Sequence, residues 1–117
     1  MKFLNKYNNP KNIRFKSFEK TFKICLERNH KTIVETGTAR GKTKFFFIKR
    51  YNWKDGMSTP MFGGYAKFVN GILHTCDISE ENINNARNFT KKYANFIKFY
   101  VNDSLIFLEE FNEKIDL

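Results

Sequence analysis

Three short segments rich in β-branched and aromatic residues recur along the chain, and helical spacing follows each of them. They cover residues 32–36, 72–77 and 96–101 and are predicted to be strands. Strands that alternate with helices over connections of this length favour βαβ units, in which the strands lie parallel. The sequence therefore predicts an α/β fold built on a parallel sheet.

The segments between the strands carry helix signals. Residues 17–29 have the apolar spacing of an amphipathic helix, with Ser17 as its N-cap. The Ser-Thr-Pro sequence at 58–60 has the chemistry of a helix start, so a helix is expected over residues 61–70. Ser79 caps a further helix that has acidic residues in its first turn. A short helix then follows the third strand, whereas the aromatic and basic residues 43–53 show no clean period.

The chain is expected to divide into a loosely held N-terminal arm with an amphipathic helix, residues 1–30, and a sheet-containing domain, residues 31–117. Residues 114–117 have the composition of an entering fourth strand. The predicted fold is therefore a doubly wound parallel sheet of about three to four strands that is truncated at the fourth strand. Such a sheet exposes an edge and part of an apolar face, which predicts self-association.

Composition supports a single folded domain. The 117 residues are 41% hydrophobic, 17% aromatic and carry a formal charge of +9, which is enough apolar content to build a core. The basic residues are scattered over the whole chain, as a bias toward Lys, Asn, Ile and Phe would produce. Nucleic-acid binding therefore stays open as an alternative but is not favoured.

Signals for secretion, membrane insertion and metal binding are missing from the sequence. The N-terminus has no apolar signal region, and no run approaches the roughly 18 apolar residues of a membrane span. Cys25 and Cys76 lack a metal-ligand spacing and are expected to be buried, reduced thiols. These observations predict a cytoplasmic protein without a metal site.

The loop after the first strand ends in Gly41-Lys42-Thr43, as a triphosphate-binding loop does. Such a loop places another glycine five residues before Gly41, because its backbone must wrap a phosphate. That position is Thr36, and Gly37 comes one residue too late. The triphosphate interpretation is therefore set aside.

Polar residues stand at the end of every predicted strand. Glu35 and Gly37 end the first, Asp77 ends the second, and Asp103 with Ser104 follows the third. Ligands of open α/β sheets bind beyond the carboxyl ends of the strands. The three strand ends therefore predict a nucleoside-type binding site. Each carboxylate has a plainer alternative, since Asp77 and Asp103 could cap the next helix and Glu35 could be a solvated strand-end group.

Residues 31–117 resemble the N-terminal half of a class I S-adenosylmethionine-dependent methyltransferase, which has a Rossmann-like fold. The resemblance rests on four segments: VETGT at 34–38, HTCDIS at 74–79, FYVNDS at 99–104 and KIDL at 114–117. A subgroup with a long loop after the first strand is matched more specifically, through Asn52-Trp53 and the DGMST turn at 55–59.

The resemblance implies S-adenosyl-L-methionine as cofactor. Gly37 and its neighbours would border the methionine portion, with Glu35 ordering the loop. Asp77 would hold the ribose, and Asp103 with Ser104 would face the adenine. The helix start after Gly56 would approach the cofactor carboxylate, unless Ser58 and Thr59 serve as caps alone. The implied cofactor-binding residues are Glu35, Thr36, Gly37, Thr38, Gly56, Ser58, Thr59, Asp77, Ile78, Asp103 and Ser104.

The implied activity is methyl transfer, with O-methylation of a sugar or small metabolite as the first expectation for the acceptor. No catalytic residue is identified, and Asp116 is a marginal candidate because it precedes the region where such residues usually lie. Two alternatives stay open. One is a truncated Rossmann-like module that binds a nucleoside without turnover, and the other is a methyltransferase that acts on nucleic acid.

Overall fold

A three-stranded parallel sheet lies at the centre of the fold. The computed structural model describes residues 1–8, 10, 12, 14–37, 42–45, 48–51 and 58–117. The strands in chain order are β1 (Thr32–Thr36), β2 (Lys42–Phe45), β3 (Ile48–Tyr51), β4 (Ile72–Asp77) and β5 (Ile97–Val101). The parallel sheet has the order β1–β4–β5, and β2 and β3 form a separate antiparallel pair.

The predicted α/β class and parallel sheet are confirmed. The bounds of β1 and β4 are those expected from the sequence, and β5 begins one residue later than expected. Register pairs Ile33 with Leu73, and Leu73 with Ile97, in one row across the sheet. These three side chains are buried in the main apolar cluster, so β-branched and apolar content located the strands correctly.

The antiparallel pair of β2 and β3 was not expected. Its register places Lys44 opposite Lys49 and Thr43 opposite Arg50. Strand segments of this composition lack the apolar alternation by which sequence patterns reveal strands. This explains why residues 43–53 showed no clean period.

Four α-helices and two 3₁₀ helices surround the sheet in the described part of the chain. The α-helices are α1 (Phe15–Glu27), α2 (Ser58–Val69), α3 (Glu80–Phe89) and α4 (Ser104–Glu110). The N-terminal 3₁₀ helix is Lys2–Tyr7, and the pre-β5 3₁₀ helix is Lys91–Phe96. Every predicted helix is present, with ends that shift by a few residues.

Two helix starts differ from expectation. The N-cap of α1 is Arg14, which makes no side-chain capping bond, so Ser17 lies inside the helix. Its carbonyl accepts a hydrogen bond from Thr21 Oγ1 at 2.8 Å. At α3, in contrast, Ser79 is the N-cap as predicted, since its Oγ accepts from the backbone N–H of Asn82 at 3.2 Å.

The N-terminal segment is more closely packed than a loose arm. Leu4 and Tyr7 of the N-terminal 3₁₀ helix are 4% and 2% exposed and join the main apolar cluster. Phe3 packs against the ring of Phe22, and a Cβ on Gly64 of α2 would lie 2.6 Å from that Phe3 ring. The N-terminal 3₁₀ helix can therefore pack this closely against α2 because residue 64 is glycine.

Helices cover both faces of the sheet. Gly63 of α2 lies against Ile97, and the Arg87 guanidinium of α3 lies 5.3 Å from the centre of the Phe99 ring. On the opposite face the Phe107 ring of α4 lies 4.8 Å from the Tyr100 ring. Because successive residues of a strand point to opposite faces, α2 and α3 share one face and α4 lies on the other.

Residues 114–117 run beside β1. The Leu117 N–H donates to the Thr32 carbonyl at 3.2 Å, and the Val34 N–H donates to the Leu117 carbonyl at 2.8 Å. This is the bonding pattern of a parallel pair. The segment is not assigned as a strand, although it lies where the predicted fourth strand would begin.

Candidate functional site

The carboxyl ends of the three parallel strands are joined by backbone hydrogen bonds. The Gly37 N–H donates to the Cys76 carbonyl at 2.9 Å, and the Asn102 N–H donates to the Asp77 carbonyl at 3.1 Å. These bonds bring the polar strand-end residues to one edge of the sheet, as the sequence predicts. We call this region, which comprises Glu35 to Gly37, Asp77, Ile78 and Asn102 to Ser104, the carboxyl edge.

Glu35 ties three chain segments together. Its side chain is 7% exposed. Its Oε1 accepts hydrogen bonds from Thr59 Oγ1 at 2.5 Å and from Thr75 Oγ1 at 2.8 Å, and its Oε2 accepts from Ser58 Oγ. The carboxylate therefore joins the end of β1 to β4 and to the first turn of α2. The alternative of a solvated strand-end group is wrong for this residue.

Burial governs the charge of Glu35. Removal from water raises the pKa of this carboxyl, while the hydrogen bonds from Ser58, Thr59 and Thr75 lower it and the nearby charge of Asp77 raises it. The net direction is upward. Hydroxyl donors compensate a buried carboxylate in part, because each hydrogen bond favours the charged form.

Ser58 and Thr59 are the first two residues of α2, and the Thr59 side chain is fully buried. Their hydroxyl groups donate to Glu35 and hold the helix start against β1. The two residues lie at the N-terminal end of α2, where the helix dipole is positive.

Gly37 requires the conformational freedom of glycine. Its φ is +80°, a region that other residues rarely adopt. A Cβ placed there would meet no described atom within 4 Å, and both Gly37 and Thr36 are exposed. The turn that leaves β1 therefore presents open backbone at the carboxyl edge.

Asp77 organises the turn into α3. Its Oδ1 accepts from the Ser79 N–H at 2.8 Å, and both carboxylate oxygens lie 3.4 Å from Asn82 Nδ2. A 3.4 Å contact is long for a hydrogen bond. The capping role that the sequence left open is thus present, and Oδ2 of this half-exposed side chain retains capacity to accept from a ligand.

Asp103 is the N-cap of α4. Its Oδ1 accepts from the N–H groups of Leu105 at 2.9 Å and Ile106 at 3.3 Å, and Asn102 Oδ1 accepts from the Asp103 N–H at 2.8 Å. Asp103 and Ser104 are both exposed. The plainer alternative of a helix cap is therefore what the structure shows for Asp103.

Exposed apolar side chains flank these polar groups. Ile78 is 76% exposed directly after β4, Val101 is 52% exposed at the end of β5, and Leu105 is 71% exposed in the first turn of α4. Of these three residues, only Ile78 is among the cofactor-binding residues that the resemblance implies; Val101 and Leu105 were not predicted. Val101 and Leu105 could have been predicted from the sequence, because each lies two residues from Asp103.

Several predicted features lie outside the described residues. They are Thr38, Gly56, the Asn52-Trp53 pair and Gly41. Comparison of the chain with protein-family models, curated proteins and solved structures finds no match.

Other predicted features can be compared with the described residues. Cys25 and Cys76 are buried and free, as expected. Asp116 lies at the amino end of β1, where its Oδ2 accepts from the N–H groups of Lys31 and Thr32, so it is remote from the carboxyl edge. Within the described ranges, no His, Cys, Asp and Glu side chains form a group of three that could hold a metal ion. No helix among those residues has the length and apolar content to cross a membrane.

Proposed function

We propose that this chain is the cofactor-binding half of a class I, Rossmann-like S-adenosylmethionine-dependent methyltransferase. The observation that carries the proposal is the pairing of the Asp77 carboxylate with exposed Ile78 at the carboxyl edge, between the open backbone of Gly37 and the β5 end. A nucleoside offers hydroxyl donors and a flat apolar ring, which this pairing of groups fits.

The path of the chain supports the same proposal. From β1 it passes through β4 to β5 with α2 and α3 on one face, and then returns through α4 on the other face to run beside β1. The order of the strands therefore reverses at β1: β4 and β5 lie on one side of it, and residues 114–117 lie on the other. In open parallel sheets such a reversal creates a crevice at the carboxyl ends of the strands, where ligands bind.

Each carboxyl-edge residue has a defined role in the proposal. Asp77 Oδ2 accepts hydrogen bonds from the ribose hydroxyls, and Ile78 with Leu105 packs against the adenine ring. The exposed backbone after Thr36 and Gly37 borders the methionine portion. Asp103 contributes by fixing the start of α4, with exposed Ser104 beside the ring. When bound, the cofactor supplies an electrophilic methyl group on sulfur.

In this proposal the start of α2 contacts the cofactor. The hydrogen bonds of Ser58 and Thr59 to Glu35 hold that helix start in position. The two hydroxyl groups already donate to Glu35, so the proposal assigns contact with the cofactor carboxylate to the backbone at the start of α2. Helix N-termini favour anions through their backbone N–H groups and the helix dipole. Glu35 is thus a positioning residue that holds the anion-binding turn beside β1.

For the methyl acceptor we propose a hydroxyl group of a sugar or small metabolite, on resemblance alone. Methyl transfer from sulfonium to oxygen depends mainly on alignment of the three atoms, with removal of the hydroxyl proton. Asp116 is not proposed as the base for that proton, because its carboxylate accepts hydrogen bonds from Lys31 and Thr32 at the amino end of β1.

Titration calorimetry with S-adenosylhomocysteine tests the proposal. We expect one site per chain, with affinity reduced about tenfold or more in Asp77→Asn, because a charge-assisted hydrogen bond to the ribose is lost. Asp116→Asn is the matched control at the opposite edge and should bind normally. Adenosine binding with no discrimination in favour of S-adenosylhomocysteine would instead indicate a nucleoside-binding module. Preference for ATP would restore the triphosphate interpretation and contradict the proposal.

A further inference from the structure

The segment of residues 111–117 lies against the sheet through few buried groups. Its residues Asn112, Glu113, Lys114, Ile115 and Leu117 are exposed, whereas Phe111 and Asp116 are half-buried. Backbone hydrogen bonds of Asp116 and Leu117 tie one end of the segment to β1. A segment with so little buried surface opens locally at a lower free energy than the whole domain unfolds.

The other end of the segment packs on His74, which is 1% exposed in the middle of β4. The ring centres of His74 and Phe111 are 4.8 Å apart in an edge-to-face arrangement, and Nε2 of His74 lies 3.6 Å from Oε2 of Glu113. The Glu113 side chain is 57% exposed. Phe111 therefore helps to keep water from the imidazole, while the carboxylate that faces the ring stays in contact with solvent.

A neutral imidazole satisfies the contacts around this ring. Nδ1 of His74 lies 3.0 Å from the Tyr100 hydroxyl, so a ring with its proton on Nε2 accepts from Tyr100 and directs that proton toward Glu113. Register places Lys98 of β5 and Val34 of β1 beside His74. In the described part of the chain, the charged and titratable groups around the ring are therefore Tyr100, Glu113 and Lys98.

A protonated imidazole fits this position less well. Removal from water lowers the pKa of His74 below 6.5, the charge of Glu113 opposes this shift, and the charge of Lys98 adds to it. Departure of Phe111 and Glu113 lets water reach the ring, so the open form binds a proton more tightly than the closed form does. Acid therefore favours the form in which the segment has left the ring.

We propose that protonation of His74 releases the segment of residues 111–117 from the sheet. Release leaves the Thr32 carbonyl and the Val34 N–H without the hydrogen-bond partners that the segment gives them. The outer edge of β1 is then open, and such an edge can pair with another strand. None of the carboxyl-edge residues takes part, so the proposal is independent of methyl transfer.

Hydrogen exchange tests the proposal, followed by NMR on the full chain between about pH 7.5 and 5. The Val34 amide is the reporter, since its N–H donates to the Leu117 carbonyl at 2.8 Å, and the amides of β4 at the centre of the sheet are the reference. We expect the protection factor of Val34 to fall by up to about tenfold per pH unit below about pH 6.5, the limit for a single proton. Asp116 stays ionised in this range, because the N–H groups of Lys31 and Thr32 hold its pKa below 3.8.

Substitutions assign the effect to His74. His74→Gln should remove the pH dependence of Val34 protection, whereas His30→Gln, at the other of the two histidines in the chain, should retain it. Glu113→Gln is an exposed change that leaves the buried ring in place and removes the carboxylate that offsets its charge. It should lower Val34 protection about threefold relative to wild type at about pH 5. Glu109→Gln, at an exposed position of α4, is the matched control and should behave as wild type.

Three results would overturn the proposal. One is equal protection of Val34 and the β4 amides at every pH, because the segment would then leave the sheet only when the whole domain unfolds. Another is an unchanged fall of Val34 protection in His74→Gln, which would assign the proton to a different group. The third is wild-type protection in Glu113→Gln at about pH 5, which would show that the carboxylate does not act on the charge of the ring.

Discussion

Thr59 Oγ1 lies 2.5 Å from Oε1 of Glu35, so the first turn of α2 is bonded directly to the last buried residue of β1. Ser58, whose hydroxyl bonds to the same carboxylate, stands 23 positions after Glu35 in the sequence. The two ends of the long intervening segment are thus fixed to each other. The hydrogen bonds to Glu35 therefore set the position of the start of α2 relative to the end of β1.

Replacement of Thr59 by valine should destabilise the fold. Thr59→Val keeps the shape but removes one donor from a buried carboxylate, so we expect a loss of about 1–3 kcal/mol in the free energy of unfolding. Urea denaturation measures this quantity. Thr21→Val is the control, because the Thr21 hydroxyl bonds to the Ser17 carbonyl within α1 and its removal should cost less. Equal effects of the two variants would show that Glu35 does not depend on Thr59.

A polar residue at position 78 should separate binding from stability. Ile78 is 76% exposed, so Ile78→Ser should change the free energy of unfolding by less than about 0.5 kcal/mol. Loss of its contact with the adenine ring should cost about 1 kcal/mol of binding, or roughly fivefold in affinity for S-adenosylhomocysteine. Calorimetry and denaturation on one preparation check both values. Leu26→Ser, at an exposed position of α1, is the control and should bind normally. Unchanged affinity in Ile78→Ser would remove Ile78 from the site.

His74 should make stability depend on pH. It is buried, with Nδ1 3.0 Å from the Tyr100 hydroxyl and Nε2 3.6 Å from Glu113 Oε2. Burial lowers the pKa of His74 below 6.5, Glu113 opposes this shift, and Lys98 adds to it. The unfolded chain therefore takes up a proton on this histidine at higher pH than the folded chain does.

It follows that the His74 contribution is fully present above the unfolded pKa and is lost as pH falls below about 6.5 toward the folded pKa. The slope from one such group cannot exceed about 1.4 kcal/mol per pH unit. Urea denaturation at several pH values should show a shallower fall for His74→Gln, which keeps an acceptor for Tyr100. Parallel curves for the two proteins would contradict the assignment, since other titrating groups are common to both.

Asp116 should stabilise the segment beside β1. Its Oδ2 accepts from the Lys31 and Thr32 N–H groups at 2.9 and 3.0 Å. These two bonds, Lys31 first, lower the pKa of Asp116 below 3.8. A depressed carboxyl pKa gives stability that is present above the unfolded value and is lost as pH falls below about 4.

Asp116→Ala should therefore lower the free energy of unfolding by about 1 kcal/mol at neutral pH, a value reduced by solvent screening. Asp116→Asn should cost less, because its amide oxygen can still accept. Denaturation of both variants, repeated below pH 4, measures the effect. Equal stability of wild type and Asp116→Ala at neutral pH would show that the two bonds contribute nothing.

Sequence patterns located the parallel strands because apolar residues such as Leu73 and Ile97 must be buried wherever the helices cross them. They also identified the cap of α3, since the Ser79 hydroxyl acts on its own helix. The prediction that Ser17 caps α1 was wrong. It depended on the residue type alone, whereas α1 begins at Phe15, two residues before Ser17.

The network around Glu35 was beyond sequence reasoning. Thr75 reaches Glu35 because register places these two residues side by side on adjacent strands, and register depends on the assembled sheet. Local patterns report which residues are polar, but not which of them converge.

Amide chemical-shift mapping with S-adenosylhomocysteine tests the central claim most directly, because it reports both whether the ligand binds and where. The account predicts saturable changes concentrated at the carboxyl edge, at Gly37, Asp77, Ile78 and Asn102, with signals at the amino end of the strands unchanged. Absence of binding, or changes centred away from the carboxyl edge, would contradict it.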